Sequence, residues 1–477
     1  MIHSLVNQGL LGLIPLFVLV TVGCLNETDA TFSSASSDTV SSVKVQTDPL
    51  GVGLLLGDED IARDFENRSP APTVRSVPHR LGTRFDSPST RWRFAPDFIE
   101  IEIPDIPHKY AIWGATGRDD FGNLYFGVSA RGEWEDSAAL CLVRPKRIDS
   151  AALGDAVGNL QRLGLAHRST MQMKIHSKPV QAQDGYIYFA SMDEYGETED
   201  GTRLPFYGSN LWRLRVDDRG EETKPQSWEH LLALPEGIIA TGCTGRYVYA
   251  LGYYEHSLYQ FDTQSFGVKK VKVGSPGGHV SRNLIVDLNE HVYVPRVVQR
   301  NVGDYVVHLI EFDHEMREVG SHQLEDYGAT SDFSSHGIVG FAFLKNGDCV
   351  FTTSTGALYR LKPSDNAPSS LERLGWFHPD GQSYASVLYA PDGESTVCGL
   401  ARREQAFEWV VYDLDQWRGD VVPLSESAKQ ILGRESVLAY GTNTRDSDGD
   451  ALIVGWYKGS ESDRHLPYAA RVRWPQP

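Results

Sequence analysis

Cationic and aromatic side chains recur at the ends of short apolar segments, and these are the residues that could do chemistry in this chain. The first set lies at or just before the start of such a segment and consists of His176, Thr241, His279, Arg282, His336 and Tyr384. The second set lies at the end of such a segment and consists of Arg131, Tyr195, Tyr253, Tyr254, His256, Arg296, Arg402, Arg403 and Lys458. Planar guanidinium groups match the oxygens of a carboxylate or sulfate, and aromatic faces suit sugar rings. The pattern indicates a site for an anionic carbohydrate.

The elements that must position these residues repeat at a spacing of roughly 45–60 residues. Each repeat has a short apolar strand, a turn rich in Gly, Asp or Asn, a second strand rich in Tyr and Val, and a further strand. Such turns and strands favour antiparallel hairpins. One small sheet cannot bury both of its faces alone, so neighbouring sheets must stack. Seven repeats, which begin near Tyr110, His176, Gly237, Gly277, His336, Tyr384 and Val437, predict an all-β, seven-bladed β-propeller.

The alternative architecture is a pair of β-sandwiches. Helical periodicity is nearly absent, and residues 150–167 are the segment where a helix is expected. In a propeller the first strand of each blade lines a central channel, and the loops at one end form a concave mouth. The starts of first strands and the ends of second strands approach the same end, so the cations and aromatic residues are expected to converge on one mouth.

The charge balance supports an anionic ligand at that mouth. The chain of 477 residues has 63 Asp and Glu against 45 Lys and Arg, for a net charge of −18. Cations concentrated at one mouth of an acidic protein focus the electrostatic field toward an anionic ligand. The acidic balance argues against a nucleic-acid partner, which would require a basic face.

Two of the repeats, KIHSKPVQAQDGYIYFASMDE (174–194) and GGHVSRNLIVDLNEHVYVPR (277–296), resemble the blades of secreted bacterial propeller polysaccharide lyases, in particular the ulvan lyases. The resemblance extends over all seven repeats. In that family a histidine and a tyrosine act on a uronic acid while an arginine neutralises its carboxylate. The resemblance therefore implies His176 and Tyr253 as catalytic residues, and Arg282 or Arg296 as the arginine.

Such a lyase removes the proton α to a uronate carboxylate and expels the O4-linked sugar by β-elimination. The proton is weakly acidic until a cation neutralises the carboxylate, and a base and an acid must then reach C5 and the leaving oxygen. Tyr253 can serve as base and acid, or His176 as the base. The predicted function is a lyase for an anionic, uronic-acid-containing polysaccharide of the sulfated, ulvan-like type, and the predicted chemistry needs no cofactor. Its predicted substrate-binding residues are Arg131, His279, Arg282, Arg296 and Tyr254.

Two other functions stay open. A non-catalytic propeller that binds carbohydrate or protein would use the same basic and aromatic mouth without a base aligned with C5. A glycosidase normally requires two carboxylates that flank the scissile bond, and Asp193 and Glu194 are candidates for that pair.

Metal-binding signals are modest. His279, His336 and Cys398 lie on adjacent repeats and could meet in a structural zinc site, with a buried, inert Cys398 as the alternative. The segment 446–450, Asp-Ser-Asp-Gly-Asp, resembles the beginning of a calcium loop but lacks the remainder of that pattern. Ordinary turn chemistry also explains the segment.

The N-terminal segment indicates export. Residues 10–22 form an apolar run that has the length of a signal-peptide core and is too short to span a membrane comfortably. Residues 20–24 resemble a bacterial lipoprotein box, in which Cys24 would carry the lipid. The predicted organisation is a signal peptide (1–23), a linker and N-terminal arm (24–90) and a catalytic propeller (91–477). We expect an exported monomer that is secreted, periplasmic or attached to the outer membrane through Cys24.

Overall fold

The computed structural model describes the backbone of three short strands between residues 41 and 55, and residues 92–474 with gaps at 93, 133–135, 166–170, 194–207, 217–227, 254, 276–280, 302–303, 329–336, 366–367, 443 and 460–463. The predicted signal peptide (1–23) and Cys24, the residue that follows it, lie outside the described residues. Strands dominate the described chain, and the helices are short, as the all-β prediction requires. No helix in this part of the protein is long and apolar enough to cross a membrane.

The N-terminal strands are β1 (Ser41–Val43), β2 (Val45–Thr47), β3 (Gly53–Leu55) and β4 (Asp97–Ile101). Strands β2 and β3 pair with each other in an antiparallel hairpin. Strand β1 lies within the segment predicted as linker and arm, and it pairs with the outer strand of sheet 3 described below.

Five antiparallel sheets follow in chain order. Sheet 1 contains β5 (Lys109–Ala111), β6 (Thr116–Arg118), β7 (Leu124–Ala130), β8 (Ala139–Val143) and β9 (Ala151–Asp155). Sheet 2 contains β10 (Val180–Gln181), β11 (Ile187–Met192), β12 (Ser209–Leu214) and β13 (Glu229–Leu234). Sheet 3 contains β14 (Gly237–Cys243), β15 (Tyr247–Tyr253), β16 (Ser257–Asp262) and β17 (Val268–Lys272).

The strands of sheets 4 and 5 also follow one another in chain order. Sheet 4 contains β18 (Ile285–Val286), β19 (Val292–Asn301), β20 (Asp304–Phe312) and β21 (Glu318–Leu324). Sheet 5 contains β22 (Ile338–Phe343), β23 (Cys349–Thr353), β24 (Ala357–Lys362) and β25 (Ser370–Trp376).

The last strands form an eight-stranded sheet that a parallel pair divides into two antiparallel halves. Sheet 6 is the half with β26 (Tyr384–Tyr389), β27 (Thr396–Arg403), β28 (Ala406–Asp413) and β29 (Arg418–Val422). Sheet 7 is the half with β30 (Leu438–Thr442), β31 (Ala451–Lys458) and β32 (His465–Arg473), completed by β4 from the other end of the chain.

Hydrophobic clusters fill the interfaces between neighbouring sheets and join the sheets in a cycle. Clusters of buried residues lie between sheets 1 and 2, and so on in order to sheets 6 and 7. A further cluster, with Phe126 of sheet 1 and Leu452 of sheet 7, connects the last sheet to the first. Burial of apolar surface between sheets is therefore the main force that holds this arrangement.

A recurring aspartate explains how the local sequence makes the hairpins. The Oδ1 atom of Asp119 accepts hydrogen bonds from the backbone N–H groups of Phe121 and Asn123. Its Oδ2 atom accepts a 2.7 Å hydrogen bond from the hydroxyl of Tyr125 on the following strand. Asp287 repeats the device between the first two strands of sheet 4. Aspartate favours turns because its carboxylate satisfies nearby backbone donors.

The described residues contain two helices. Helix α1 (Ala156–Arg162) lies in the segment where a helix is expected, and the side chain of Asp155 caps it by accepting from Gly158 N–H. Helix α2 (Glu426–Leu432) follows sheet 6 and is not foreseen by the sequence analysis. Its Ser427 hydroxyl accepts a 3.0 Å hydrogen bond from the backbone N–H of Phe98 in β4.

Candidate functional site

Arg282 stands just before the first strand of sheet 4 and reaches residues of four other sheets. Its Nη1 donates to the carbonyl oxygen of Trp113 at 3.2 Å and lies 3.0 Å from Nε2 of His176. Its guanidinium carbon lies 4.8 Å from the ring centre of Tyr440, and its guanidinium also interacts with Tyr384. We call Trp113, His176, Arg282, Tyr384 and Tyr440 the arginine cluster.

No acid of the described residues balances the charge of Arg282. Among the described residues no carboxylate forms an ion pair with Arg282, and its buried Nε has no hydrogen-bond partner. Burial opposes the charged form, but the neighbouring Tyr440 and Tyr384 raise the pKa of Arg282 above its usual value. A cationic guanidinium without an acidic partner can bind a carboxylate or sulfate.

His176 orients Arg282. The histidine is only 5% exposed, and its Nδ1 lies 3.0 Å from the carbonyl oxygen of Ile239. Because a carbonyl only accepts, Nδ1 carries the hydrogen, and the lone pair on Nε2 faces Nη1 of Arg282. Both ring nitrogens are therefore engaged, and His176 positions the guanidinium in this arrangement.

An aromatic strip extends from the arginine cluster over sheets 1 and 7. It consists of Tyr110, Trp113, Trp456 and His465. The ring centres of Trp113 and Trp456 are 5.9 Å apart, those of Trp456 and His465 are 3.8 Å apart, and those of His465 and Tyr110 are 4.6 Å apart. The exposed Arg131 lies over Tyr110, with 5.1 Å between its guanidinium carbon and the ring centre. Stacked rings beside a cation suit a charged sugar.

Three basic residues alternate along the segment that leads into β10. Lys174 Nζ lies 5.3 Å from the ring centre of Trp113, and Lys178 Nζ lies 3.4 Å from the carbonyl oxygen of Gly114. His176, between them, contacts Arg282, which donates to the Trp113 carbonyl oxygen. Alternate residues in an extended chain point to the same side, which explains why Lys174 and Lys178 both reach residues 113–114 of sheet 1.

Lys178 is a functional candidate that the sequence analysis missed. Its ammonium has no carboxylate partner among the described residues, and it contacts Thr116 Oγ1 at 3.5 Å and the ring of Phe341 at 5.7 Å. Burial lowers the pKa of Lys178 to about 7. The alternation of basic residues at 174, 176 and 178 is the sequence signal that could have identified it.

Among the predicted substrate-binding residues, Arg131 and Arg282 are connected through Tyr110 and Trp113 of the aromatic strip, whereas Arg296 is not. Both terminal nitrogens of Arg296 bind Glu318, at 2.8 and 3.2 Å, and its Nε donates to the carbonyl of Val273. An ion pair within its own sheet therefore occupies Arg296, and none of its hydrogen bonds reaches the arginine cluster.

The backbone of Tyr253, the predicted catalytic tyrosine, lies at the same end of the sheets as His176. Tyr253 is the last residue of β15 and pairs with Gly237, two residues before the Ile239 carbonyl that contacts His176. The side chain of Tyr253 is outside the described part of the chain, as are Tyr254, His279 and His336. Their roles stay predictions.

The candidate acidic pair of a glycosidase is also incompletely described. Asp193 is fully buried directly after β11, whereas Glu194 is outside the described residues. The glycosidase alternative therefore stays a prediction.

The candidate metal ligands that the structure describes, Cys398 and Asp446, are engaged in core packing and in hydrogen bonds, respectively. Cys398 is buried in the cluster between sheets 6 and 7, and burial raises the pKa of its thiol. Asp446 accepts from the backbone N–H groups of Asp448 and Asp450, and its other oxygen pairs with Arg471. Within the ranges that the structure describes, no group of three or more His, Cys, Asp or Glu is placed to hold a metal. The zinc and calcium sites stay predictions.

No protein-family model matches the chain, and no curated protein matches it. Solved structures similar to it include a protein of unknown function from Dyadobacter fermentans, with 10% identity and a TM-score of 0.44 over 80% of this chain and 99% of that one. They include the β-propeller domain of the Trilobed protease from Pyrococcus furiosus, with 10% identity and a TM-score of 0.39 over 77% and 100%. An ulvan lyase that represents a new polysaccharide lyase family matches with 9% identity and a TM-score of 0.38 over 80% and 95%. Similarity at this level assigns no activity to the chain.

Proposed function

We propose that the sheets are the blades of a seven-bladed β-propeller, and that the protein is an exported lyase that cleaves an anionic, uronate-containing, ulvan-like polysaccharide. The observation that carries the proposal is Arg282, a cation that contacts residues of four other sheets and has no carboxylate partner among the described residues. An acidic group of the polymer would supply the missing counter-charge.

The surroundings of Arg282 suit a polymer better than a small ion. The aromatic strip begins at Trp113, whose carbonyl binds Arg282, and continues to Tyr110 and the exposed Arg131. A chain of sugars can therefore place one carboxylate at Arg282 while neighbouring rings stack along the strip. Arg131 would contact a second anionic group of the same chain.

In the proposed reaction Arg282 neutralises the uronate carboxylate, which makes the C5 proton more acidic. A base removes that proton, the electron pair forms the C4=C5 double bond, and the bond between C4 and the bridging oxygen breaks. An acid returns a proton to the leaving oxygen. Tyr253 is proposed as the base and the acid, while His176 holds Arg282 in place.

A non-catalytic propeller that binds the same polymer is the second candidate. The engagement of both ring nitrogens of His176 favours it, because this histidine then presents no free lone pair to C5. The two candidates share the binding surface and differ only in turnover.

The first experiment measures ultraviolet absorbance during incubation of the purified protein with ulvan, polygalacturonate, alginate and glycosaminoglycans. The new C4=C5 double bond absorbs, so a rise on one polymer identifies both the reaction and the substrate class. Binding of an anionic polymer without a rise would favour the non-catalytic propeller.

Two variants then test the residues. Tyr253→Phe removes only a hydroxyl, so turnover should fall by roughly 100-fold or more while polymer binding persists. Arg282→Lys should lower turnover by about 100-fold, because a lysine cannot reproduce the guanidinium geometry. The matched control is Arg317→Lys, at an exposed arginine that pairs with the buried Asp313. Near-normal turnover of Tyr253→Phe would contradict the assignment of Tyr253.

A further inference from the structure

A separate cavity of about 150 Å³ lies beside the arginine cluster and is bounded by residues of six sheets. Its lining includes Lys178 from sheet 2, Thr116 from sheet 1, Phe341 from sheet 5 and Thr442 from sheet 7. The volume is well below the roughly 300–1,000 Å³ of a typical ligand pocket, so the cavity suits a small molecule and not a sugar chain.

Three side chains in this lining, Lys178, Thr442 and Arg118, have a buried polar atom without a strong partner among the described residues; in Arg118 this atom is Nη1. Lys178 is 9% exposed, and within the part of the chain that the structure describes its ammonium has only two hydrogen-bond contacts, at 3.4 and 3.5 Å, with Gly114 O and Thr116 Oγ1. Thr442 is 4% exposed, and its hydroxyl has no hydrogen-bond partner among the described residues. A buried cation and a buried hydroxyl without partners are costly, and an anion between them would satisfy both.

The other charged groups around the cavity do not neutralise Lys178. Arg118, Asp119 and Asp120 line it from sheet 1. The carboxylate of Asp119 already binds Asn123 and Tyr125, and Asp120 is exposed. The lining residues of sheets 3, 4, 5 and 7 carry no charged side chain, and the Cys243 thiol has its pKa raised by burial.

We propose that this cavity binds one small monocarboxylate anion, which accepts hydrogen bonds from the Lys178 ammonium and the Thr442 hydroxyl. A single negative charge matches the single ammonium. The ring of Phe341 and the side chains of Phe343 and Leu288 line the same cavity and would contact the apolar part of the ligand. This site is independent of the proposed polysaccharide function, because neither Lys178 nor Thr442 belongs to the arginine cluster.

When Lys178 is neutral in the free protein, binding of an anion at this site is coupled to protonation of the lysine. Because burial lowers the pKa of Lys178 to about 7, the lysine is mostly neutral above that pH in the free protein. The bound anion stabilises the ammonium, so complex formation above pH 7 consumes up to one proton per anion. Below pH 6 the lysine is already charged, and uptake should approach zero.

Isothermal titration of the full-length protein with acetate tests the proposal. Titrations at about pH 6 and about pH 8.5, each in two buffers of different ionisation enthalpy, give the number of protons taken up. We expect saturable binding at both pH values, with uptake of roughly one proton per acetate only at the higher pH. Chloride, sulfate and inorganic phosphate should bind more weakly. Equal binding of any of these ions would overturn the carboxylate assignment, and absence of acetate binding would overturn the site.

Variants locate the bound acetate. Lys178→Met should abolish binding, whereas Lys178→Arg should retain it without proton uptake, because arginine stays charged. Thr442→Val should weaken binding about 5- to 10-fold, the cost of one hydrogen bond. Lys429→Met removes one positive charge at an exposed lysine of helix α2, outside the cavity lining, and should leave acetate binding unchanged. Circular dichroism checks that each variant folds, and unchanged binding by folded Lys178→Met would contradict the proposal.

Discussion

At the scale of single residues, burial couples the protonation of Lys178 to folding. The pKa of Lys178 is lowered to about 7 in the folded protein, and it returns to the ordinary lysine value of about 10.4 in the unfolded chain. Between these values the unfolded chain binds one more proton than the folded protein. The free energy of unfolding therefore rises with pH in this window, and the cost of burying the ammonium is fully present below pH 7.

Lys178→Met should remove this dependence. Relative to the variant, the wild type should gain up to roughly 1.4 kcal/mol of unfolding free energy per pH unit between about pH 7.5 and 9. Urea unfolding of both proteins in buffers without carboxylates measures the difference. Lys429→Met, at an exposed lysine of helix α2, is the matched control and should follow the wild type. A difference that does not vary with pH would show that folding leaves the Lys178 pKa unchanged.

The residue types of the site could be predicted, but not all of their partners. His176 and Arg282 meet because both immediately precede first strands, which is the position from which the sequence analysis selected them. Arg296 was selected from the other set, the ends of second strands, and its ion pair with Glu318 depends on a side chain two strands away. The burial of Lys178 depends on residues from six sheets, and no local pattern reports such a cavity.

At the scale of elements, Glu236 is a buried acid at the junction of sheets 2 and 3. It directly precedes β14, and its Oε1 accepts a 2.6 Å hydrogen bond from the hydroxyl of Tyr259. Burial raises the pKa of Glu236 to about 7. Between the ordinary glutamate value and pH 7 the folded protein binds more protons than the unfolded chain, so stability declines as pH rises through that window.

Glu236→Gln should make stability independent of this titration. Glutamine has nearly the same shape and can still accept from Tyr259, so the variant should lose little at pH 5 and gain stability over the wild type toward pH 7. The relative gain should be at most about 1.4 kcal/mol per pH unit. Urea unfolding at pH 5, 6 and 7 measures it, with Glu394→Gln at a half-exposed ion pair as the control. Parallel curves for wild type and variant would refute the raised pKa.

Glu311 connects sheet 4 to sheet 5. It is fully buried on β20, and it accepts from His291 Nδ1 at 2.7 Å and from the backbone N–H and hydroxyl of Ser369 at 2.9 and 2.8 Å. All three partners donate to the carboxylate, and the Ser369 N–H can only donate, so an amide in place of the carboxylate would turn an N–H₂ group toward groups that now donate.

Glu311→Gln should therefore lower the free energy of unfolding by about 1–3 kcal/mol, the cost of buried donors left without an acceptor. Chemical unfolding at pH 7 is the measurement. Glu315→Gln, which alters an exposed ion pair with Lys269, should change stability by less than about 0.5 kcal/mol. Equal effects of both changes would mean that the Glu311 contacts do not stabilise the junction.

The strands could be predicted more fully than the helices. Alternating apolar and aromatic residues between Asp- and Gly-rich turns occur in every repeat, and the paired strands follow this pattern. Helix α2 has only seven residues, and these show no strong helical apolar period. Its capping serine, Ser425, is therefore a weak sequence signal for a helix. The ion pair of Arg471 with Asp446, which also brings Arg471 to the carbonyl of Arg144 in sheet 1, required the assembled sheets.

At the scale of the whole molecule, strand β4 completes sheet 7 from the opposite end of the chain. It pairs with β32 over residues 97–101, and it buries Phe98 and Ile101. Trp92, just before the strand, packs edge-on against Trp474 at 5.4 Å between ring centres. Because sheet 7 also contacts sheet 1, this pairing connects the two ends of the cycle of sheets.

Two truncations test this closure. Deletion of residues 1–91 retains Trp92 and β4, so we expect one cooperative thermal transition close to that of the full chain. Deletion of residues 1–101 removes three buried apolar side chains, each worth about 1.5–3 kcal/mol, and leaves β32 as an open edge. We expect this protein to unfold at a much lower temperature and to aggregate in size-exclusion chromatography.

Because a large deletion can prevent folding, Phe98→Ala in the full chain provides a milder test, with an expected loss of about 3–5 kcal/mol in the free energy of unfolding. Normal stability of both the longer truncation and Phe98→Ala would show that the cycle of sheets holds without β4.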